Sequence, residues 1–270
     1  MENNGKYALI TGATSGIGFE LAKLFAKDQY GLIIVARNEA ELQTCTAELG
    51  QEGVAVVPIA CDLSDMGAAK MLCQDIESRG LEVDVLVNDA GQGLYGLFKD
   101  TELERELAMI HLNICATVIL TKHFVKGMVA RNEGKILNLA SIASRTPGPW
   151  QSVYHGTKAF VLSFSEGIRE ELKPNNITVT ALLPGATDTD FFNKADMQDS
   201  KIVQDKSSLS DPAKVALDGY EALMAGEDHV VSGFKNKMMT LMAAITPDPA
   251  VASMMAGMQE PANQQQQSQQ

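Results

Sequence analysis

Positive charge is scarce in this chain. It carries 22 Lys and Arg against 34 Asp and Glu, a formal net charge of −12, which speaks against nucleic acid or an anionic membrane surface as a partner. Cysteine is scarce too. Cys45, Cys61, Cys73 and Cys115 show no C-x-x-C or other zinc-type spacing, so no metal site is expected and reduced, partly buried thiols in a cytoplasmic protein are. No apolar run reaches about 18 residues, so no transmembrane segment is expected. The first six residues, Met1-Glu2-Asn3-Asn4-Gly5-Lys6, are too polar for a signal peptide. Internal repeats and a domain linker are also missing, while an apolar content of 45% suffices for a large core.

What is present is an alternation of short apolar runs and helical patterns. Tyr7–Thr11, Gly31–Ala36, Val54–Ala60, Val83–Val87, Gly134–Ala140 and Thr178–Leu183 read as buried strands, with His229–Val231 as a last edge strand. Helical patterns lie between them, the longest over Thr101–Met128 with an apolar stripe of Leu107, Ile110, Ile114, Val118 and Leu120. This order predicts an α/β fold: a doubly wound, mostly parallel twisted sheet of about seven strands with helices on both faces, as one domain over residues 1–233. Ligands then sit at the carboxyl ends of the strands. Residues 190–210 form a polar loop after Pro184-Gly185, expected to be a substrate lid of low local stability. Phe191 and Phe192 either close over substrate or stay packed beneath the loop. Residues 234–259 are a Met-rich helical extension, and 260–270 a Gln-rich tail expected to be disordered. The methionines suit either an apolar substrate or core and subunit packing.

The carboxyl ends of these strands carry the informative residues. Thr11-Gly12-Ala13-Thr14-Ser15-Gly16-Ile17-Gly18 lies between a strand and a helix, where backbone N–H groups can approach a pyrophosphate. After the second strand, the position where NAD binders tend to place an acid is Ala36, followed by Arg37. A guanidinium there suits a 2′-phosphate, so NADP (NADPH) is expected over NAD; the alternative is a solvent-exposed arginine. Asp62 either accepts from an adenine amino group or caps the helix starting near Asp65. Asn113 interrupts the apolar stripe, as a satisfied core amide or as a site residue. Tyr154 and Lys158 are one helical turn apart on one face. An ammonium beside a phenol lowers its pKa and equips it for proton transfer.

Thr11-Gly12-x-x-x-Gly16-x-Gly18, Asp62, Asn88-x-Ala90-Gly91, Asn113, Ser141, Tyr154-x-x-x-Lys158 and Pro184-Gly185-x-x-x-Thr189, in this order, closely resemble the motif set of the short-chain dehydrogenase/reductase family. The resemblance covers about residues 5–233. It implies a Rossmann-type, NAD(P)-dependent oxidoreductase that interconverts a small-molecule carbonyl and alcohol, as a homodimer or homotetramer. It assigns Tyr154 as general acid/base, Ser141 to the substrate oxygen, Lys158 to tuning Tyr154 and binding the nicotinamide ribose, and Asn113 to a water relay. Cofactor contacts are expected from Gly12, Thr14, Ser15, Gly16, Ile17, Gly18, Arg37, Asp62, Leu63, Asn88, Ala90, Gly91, Tyr154, Lys158, Pro184, Gly185 and Thr189. One position departs from the family pattern: Asp89 stands where an asparagine is usual, and either a neighbouring donor satisfies it or burial raises its pKa. Two rivals are weaker. A non-catalytic nucleotide sensor would have no need of Tyr154 and Lys158, and an epimerase or dehydratase would carry a Gly-x-x-Gly-x-x-Gly loop.

Overall fold

The computed structural model describes residues 5–198, 200–204 and 209–261; the Gln-rich run Asn263–Gln270, the first four residues and part of the 190–210 loop lie outside it. Seven strands, β1 (Tyr7–Thr11), β2 (Gly31–Ala36), β3 (Val56–Ala60), β4 (Val85–Asn88), β5 (Gly134–Leu139), β6 (Ile177–Leu183) and β7 (His229–Val231), form one sheet. Their order is β3-β2-β1-β4-β5-β6-β7, and every neighbouring pair is parallel. The order reverses between β1 and β4, and in such sheets the crevice at that reversal, outside the strand carboxyl ends, binds ligands.

Both sheet faces are covered, which is why the strands read as continuous apolar runs. Side chains alternate along each strand. Ala8, Ile10, Ile34, Val87 and Leu139 face one side, under Leu21 and Phe25 of α1 (Gly16–Lys27) and Val215 and Tyr220 of α9 (Pro212–Ala225). Leu9, Ile33, Leu86, Ile136 and Val179 face the other, under α3 (Ala68–Ser78) and α5 (Thr117–Arg131). α6 (Ser152–Leu172) adds Val161 and Leu162 against Ala140, Ala181 and Leu183. The start of α9 follows its sequence: Pro212 occupies the first turn and Asp211 accepts from the Ala213 N–H.

Three expectations need correction. The long helix is not uniform: α4 (Leu103–Ile110) joins α5 through a π-helical turn, His111–Ala116. The wider turn shifts the phase of the helix. The buried side is Met109, Asn113, Ala116, Leu120, Phe124 and Met128, while Leu107 of the expected stripe is exposed. Leu103–Arg131 as a whole is also long and apolar enough to cross a membrane, by length and composition, and its most apolar stretch is 39% buried. Of this helix, Ala116, Leu120, Phe124 and Met128 are buried in the core cluster on the sheet. Second, Asp62 caps no helix. It accepts from the Ser64 N–H and hydroxyl at 3.0 and 2.6 Å, and α3 begins six residues later, at Ala68, after the left-handed Gly67. Third, the described part of the 190–210 segment carries an apolar cluster that also packs on Tyr95 and Ala186. Phe192, Ala195 and Met197 are buried together, with Phe191, Val203 and Leu209 around them, over the short helices α7 (Phe191–Lys194) and α8 (Lys201–Gln204).

Phe25 meets Tyr30 and Tyr220 edge-on at 5.4 and 4.9 Å and is fully buried, so it ties α1 to α9 across the core. Phe25→Ala should cost about 3–5 kcal/mol of stability, measured as a lower urea midpoint at unchanged slope.

Candidate active site

A cleft of about 1140 Å³ runs along the strand carboxyl ends. At one end is the glycine loop. Gly16 has φ +57°, and a Cβ there would come within 2.8 Å of Thr189 Cγ2; a Cβ on Gly18 would come within 2.5 Å of both Asp89 Oδ2 and the Gly12 carbonyl. Both positions therefore exclude side chains. α1 begins here with Ser15 as N-cap, no side-chain cap bond and no acid in its first turn, which leaves an anion-ready helix terminus. A dinucleotide pyrophosphate fits this cradle.

Beyond the loop, Arg37 and Asp62 face each other across the ends of β2 and β3, 3.9 Å apart, with Arg37's side chain 57% exposed. Leu63 is buried and lines the same wall. Thr11 joins the ends of β1 and β4: its hydroxyl accepts from the N–H groups of Asp89 and Ala90 at 3.2 and 3.0 Å. Ala90, Gly91, Pro184, Gly185 and Thr189 complete the glycine-loop side of the cleft.

Three expected residues do not line it. Gly18 serves packing. Asn88 lies beneath, its amide donating to Thr121 and to Asn138 at 3.1 and 2.8 Å, and Asn138 donating on to Ser165. Asn113 is a satisfied core amide, donating to the Gln92 carbonyl and the Thr157 hydroxyl and accepting from the Gln92 N–H, each at 3.0 Å. It braces the turn after Gly91 from the π-helical segment.

Ser141, Tyr154 and Lys158 converge on the middle of the cleft. Ser141 follows β5 and accepts from the Ala143 N–H at 3.1 Å. Burial pushes the Tyr154 hydroxyl up to about 12, while a hydrogen bond with Ser141 pulls the other way. Lys158 Nζ donates to the Leu139 carbonyl at 2.7 Å and lies 5.9 Å from the Tyr154 ring centre. Burial brings Lys158 down to about 8, against the opposing pull of Asp89. The lowering of the Tyr154 pKa expected from Lys158 is not seen: burial raises the phenol and only the Ser141 hydrogen bond opposes it. Phe191 leans on the Tyr154 ring at 5.4 Å, so the two phenylalanines divide: Phe192 is packed under the segment, Phe191 faces the phenol.

Asp89 is both satisfied and perturbed. It accepts from the Gly18 N–H, and burial raises it to about 7. Sequence reading missed His155 and Gln259, which also line the cleft. His155 adjoins Tyr154 and was open to inspection; Gln259 lies 104 positions further on, with nothing local to connect it.

The glycine loop, with Ser141, Tyr154 and Lys158 beside it, lies in one cleft at the strand carboxyl ends of a Rossmann-type sheet. Residues 6–200 match the family model for short chain dehydrogenases, and the chain belongs to the short-chain dehydrogenase/reductase family. It is 39% identical over 183 residues to a very-long-chain 3-oxoacyl-CoA reductase of Laccaria bicolor, covering 66% of this chain and 54% of that protein. With the ketoacyl reductase HetN of Nostoc sp. it shares 28% over 246 residues, 90% of this chain and 80% of the other. The chain thus spans only about half the length of some curated relatives it matches. A short-chain dehydrogenase from Sphingobium yanoikuyae in complex with NADPH superposes with a TM-score of 0.79 at 28% identity, over 89% of this chain and 96% of that one.

The raised pKa of Asp89 sets a pH signature. Between about pH 4 and 7 the folded protein holds a proton that the unfolded chain has released, so this contribution to stability falls as pH rises through that window. Asp89→Asn removes the dependence. The melting temperature of the variant relative to wild type should rise from pH 5 to pH 8; a constant difference would show that Asp89 does not titrate in this range.

Proposed function

We propose that the protein is an NADP(H)-dependent oxidoreductase that interconverts a carbonyl and an alcohol on an apolar or acyl-type substrate. The observation that carries this reading is the convergence of Tyr154, Ser141 and Lys158 where the glycine-loop end of the cleft meets an apolar chamber. When bound, the nicotinamide supplies or accepts the hydride. Gly12, Thr14, Ser15, Gly16 and Ile17 would hold its pyrophosphate; Arg37, with no acid at Ala36, would hold a 2′-phosphate.

The chain's own residues manage the proton. At neutral pH the Tyr154 hydroxyl is protonated and serves as the acid towards a carbonyl oxygen gaining charge. Ser141 donates a second hydrogen bond to that oxygen, as pre-organised donors do in an oxyanion site. The Lys158 ammonium, still largely charged at pH 7, favours the phenolate left behind. Phe191, Met197, Met255 and Met258 wall the space beyond with apolar surface, and the acyl reductases among the relatives support a chain-bearing substrate. Exposed Leu103 and Leu107, with the stacked Phe160–Phe164 pair on α6, support assembly as a homodimer or homotetramer.

Tyr154→Phe should lower kcat by about a hundredfold or more and leave NADPH affinity within a few-fold, measured by turnover of a carbonyl and alcohol panel and by cofactor fluorescence titration. Substantial residual kcat would sink the assignment. Arg37→Ala should weaken NADPH by roughly 2 kcal/mol while NADH changes little; equal losses would make Arg37 a surface residue only.

A further inference from the structure

After the last strand the chain returns to the cleft as two helices, α10 (Phe234–Ile245) and α11 (Asp248–Gln259). α11 is anchored. Val251 and Met255 are buried, the Tyr95 hydroxyl donates to the Gln259 backbone carbonyl, and Gln259 Nε2 lies 3.1 Å from His155 Nε2. Lys201 pairs with Glu260 at 2.5 Å, and Ser200 and Pro261 form an antiparallel bridge. These contacts order the first two residues of the expected tail. α10 is held differently. None of its residues is buried. Asn236 and Met239 line the cleft, and the Asn236 amide donates to the Ser232 carbonyl at 2.7 Å.

The outer side of α10 is a continuous apolar stripe. Phe234, Met238, Leu241, Met242 and Ile245 recur at helical spacing within an arc of about 100°, and each is between 44% and 78% exposed. The methionines of the extension thus divide, with Met239 and Met255 on the cleft and Met238 and Met242 turned outward. Single exposed apolar residues are ordinary, but a contiguous set marks an interaction surface. The chemistry of this set selects the partner. Its side chains offer no hydrogen bond, whereas protein interfaces make about one per 100–200 Å². Lys235 and Lys237 are the only charged residues from 234 to 247, and helical geometry places one on each flank of the arc. If α10 packed on α10 of a second copy, the same lysines would stand on both sides with no acid in either helix to meet them. At a lipid surface the arc enters the acyl boundary while the flanking lysines extend to headgroup phosphates. The net charge of −12 favours a zwitterionic surface over an anionic one.

We propose that α10 docks the protein on a zwitterionic phospholipid surface, with Phe234, Met238, Leu241, Met242 and Ile245 inserted at the acyl boundary. Phe234 belongs both to the stripe and to the cleft lining, so this lipid docking brings an edge of the cleft to the membrane. An apolar substrate of the reaction proposed above would then enter from the lipid rather than from water. The docking itself requires no reaction.

The test is co-sedimentation of the full chain with phosphatidylcholine vesicles, accompanied by sedimentation velocity without them. Wild type should pellet with the vesicles. The double variant Leu241→Glu/Ile245→Glu changes no cleft residue. It should lower the partition coefficient about tenfold or more, with melting temperature and NADPH titration reporting that it is folded. Met66→Glu/Met71→Glu adds the same charge at exposed positions before and within α3, and should bind vesicles as wild type does. Tyr154→Phe should also bind as wild type, so loss of the reaction and loss of docking are read separately. The proposal is overturned if wild type stays in the supernatant, if the stripe variant still pellets fully, or if the α3 variant loses as much binding. It is overturned too if the stripe variant dissociates a wild-type oligomer in the absence of vesicles, which would make a second copy of this chain the occupant.

Discussion

A desolvated ammonium constrains the whole site. Taking such an ion out of water costs several kcal/mol even after the protein relaxes, and the depressed pKa of Lys158 records that cost. The structure offsets it with the Leu139 carbonyl at the end of β5 and the carboxyl group of Asp89 just past β4. α6 cannot slide or rotate without stranding the charge, so its register on the sheet is fixed. Tyr154, one turn earlier, is thereby held over the cleft beside Ser141. The hydroxyl is positioned by an interaction in which it takes no part.

Asp89 extends the same constraint to the cofactor end. Its carboxyl group meets the Gly18 N–H and leaves no room for a side chain at Gly18 or Gly12. The glycine loop, the end of β4 and the α6 lysine thus share one buried acid. An asparagine could make the hydrogen bond to Gly18, but it would not oppose the ammonium's loss of charge.

The sequence disclosed what repeats or lies close together. Strands buried on both faces read as uninterrupted apolar runs, and the motifs at their carboxyl ends fell where a parallel sheet collects them. Tyr154 and Lys158 were legible because a helix turn relates them. Three kinds of feature were not. The π-helical turn at His111–Ala116 moved the buried face off the stripe that a regular helix predicts. The 190–210 segment looked too polar to hold itself, because Phe192 and Met197 gain their neighbours only once the chain doubles back. Asn88 and Asn113 kept the motif positions but turned their amides into the buried network rather than the cleft. The docking of Gln259 on His155 depends on the final packing of two helices that carry no pattern pointing to the site.

That docking separates the two halves of the cleft in time. The glycine loop, Arg37, Asp62 and the sheet that carries them precede the extension in the chain, which adds Asn236 and Met239 to the cleft. A ribosome adding about 5–20 residues per second therefore releases the glycine loop and the seven strands before the wall bearing Met255, Met258 and Gln259 exists. During that interval the nascent chain has its sheet and glycine loop but no wall on the C-terminal side of the cleft. The two ends of the cleft are thus built in sequence during synthesis, and a chain cut short within Asp248–Gln259 would keep the glycine-loop end without that wall.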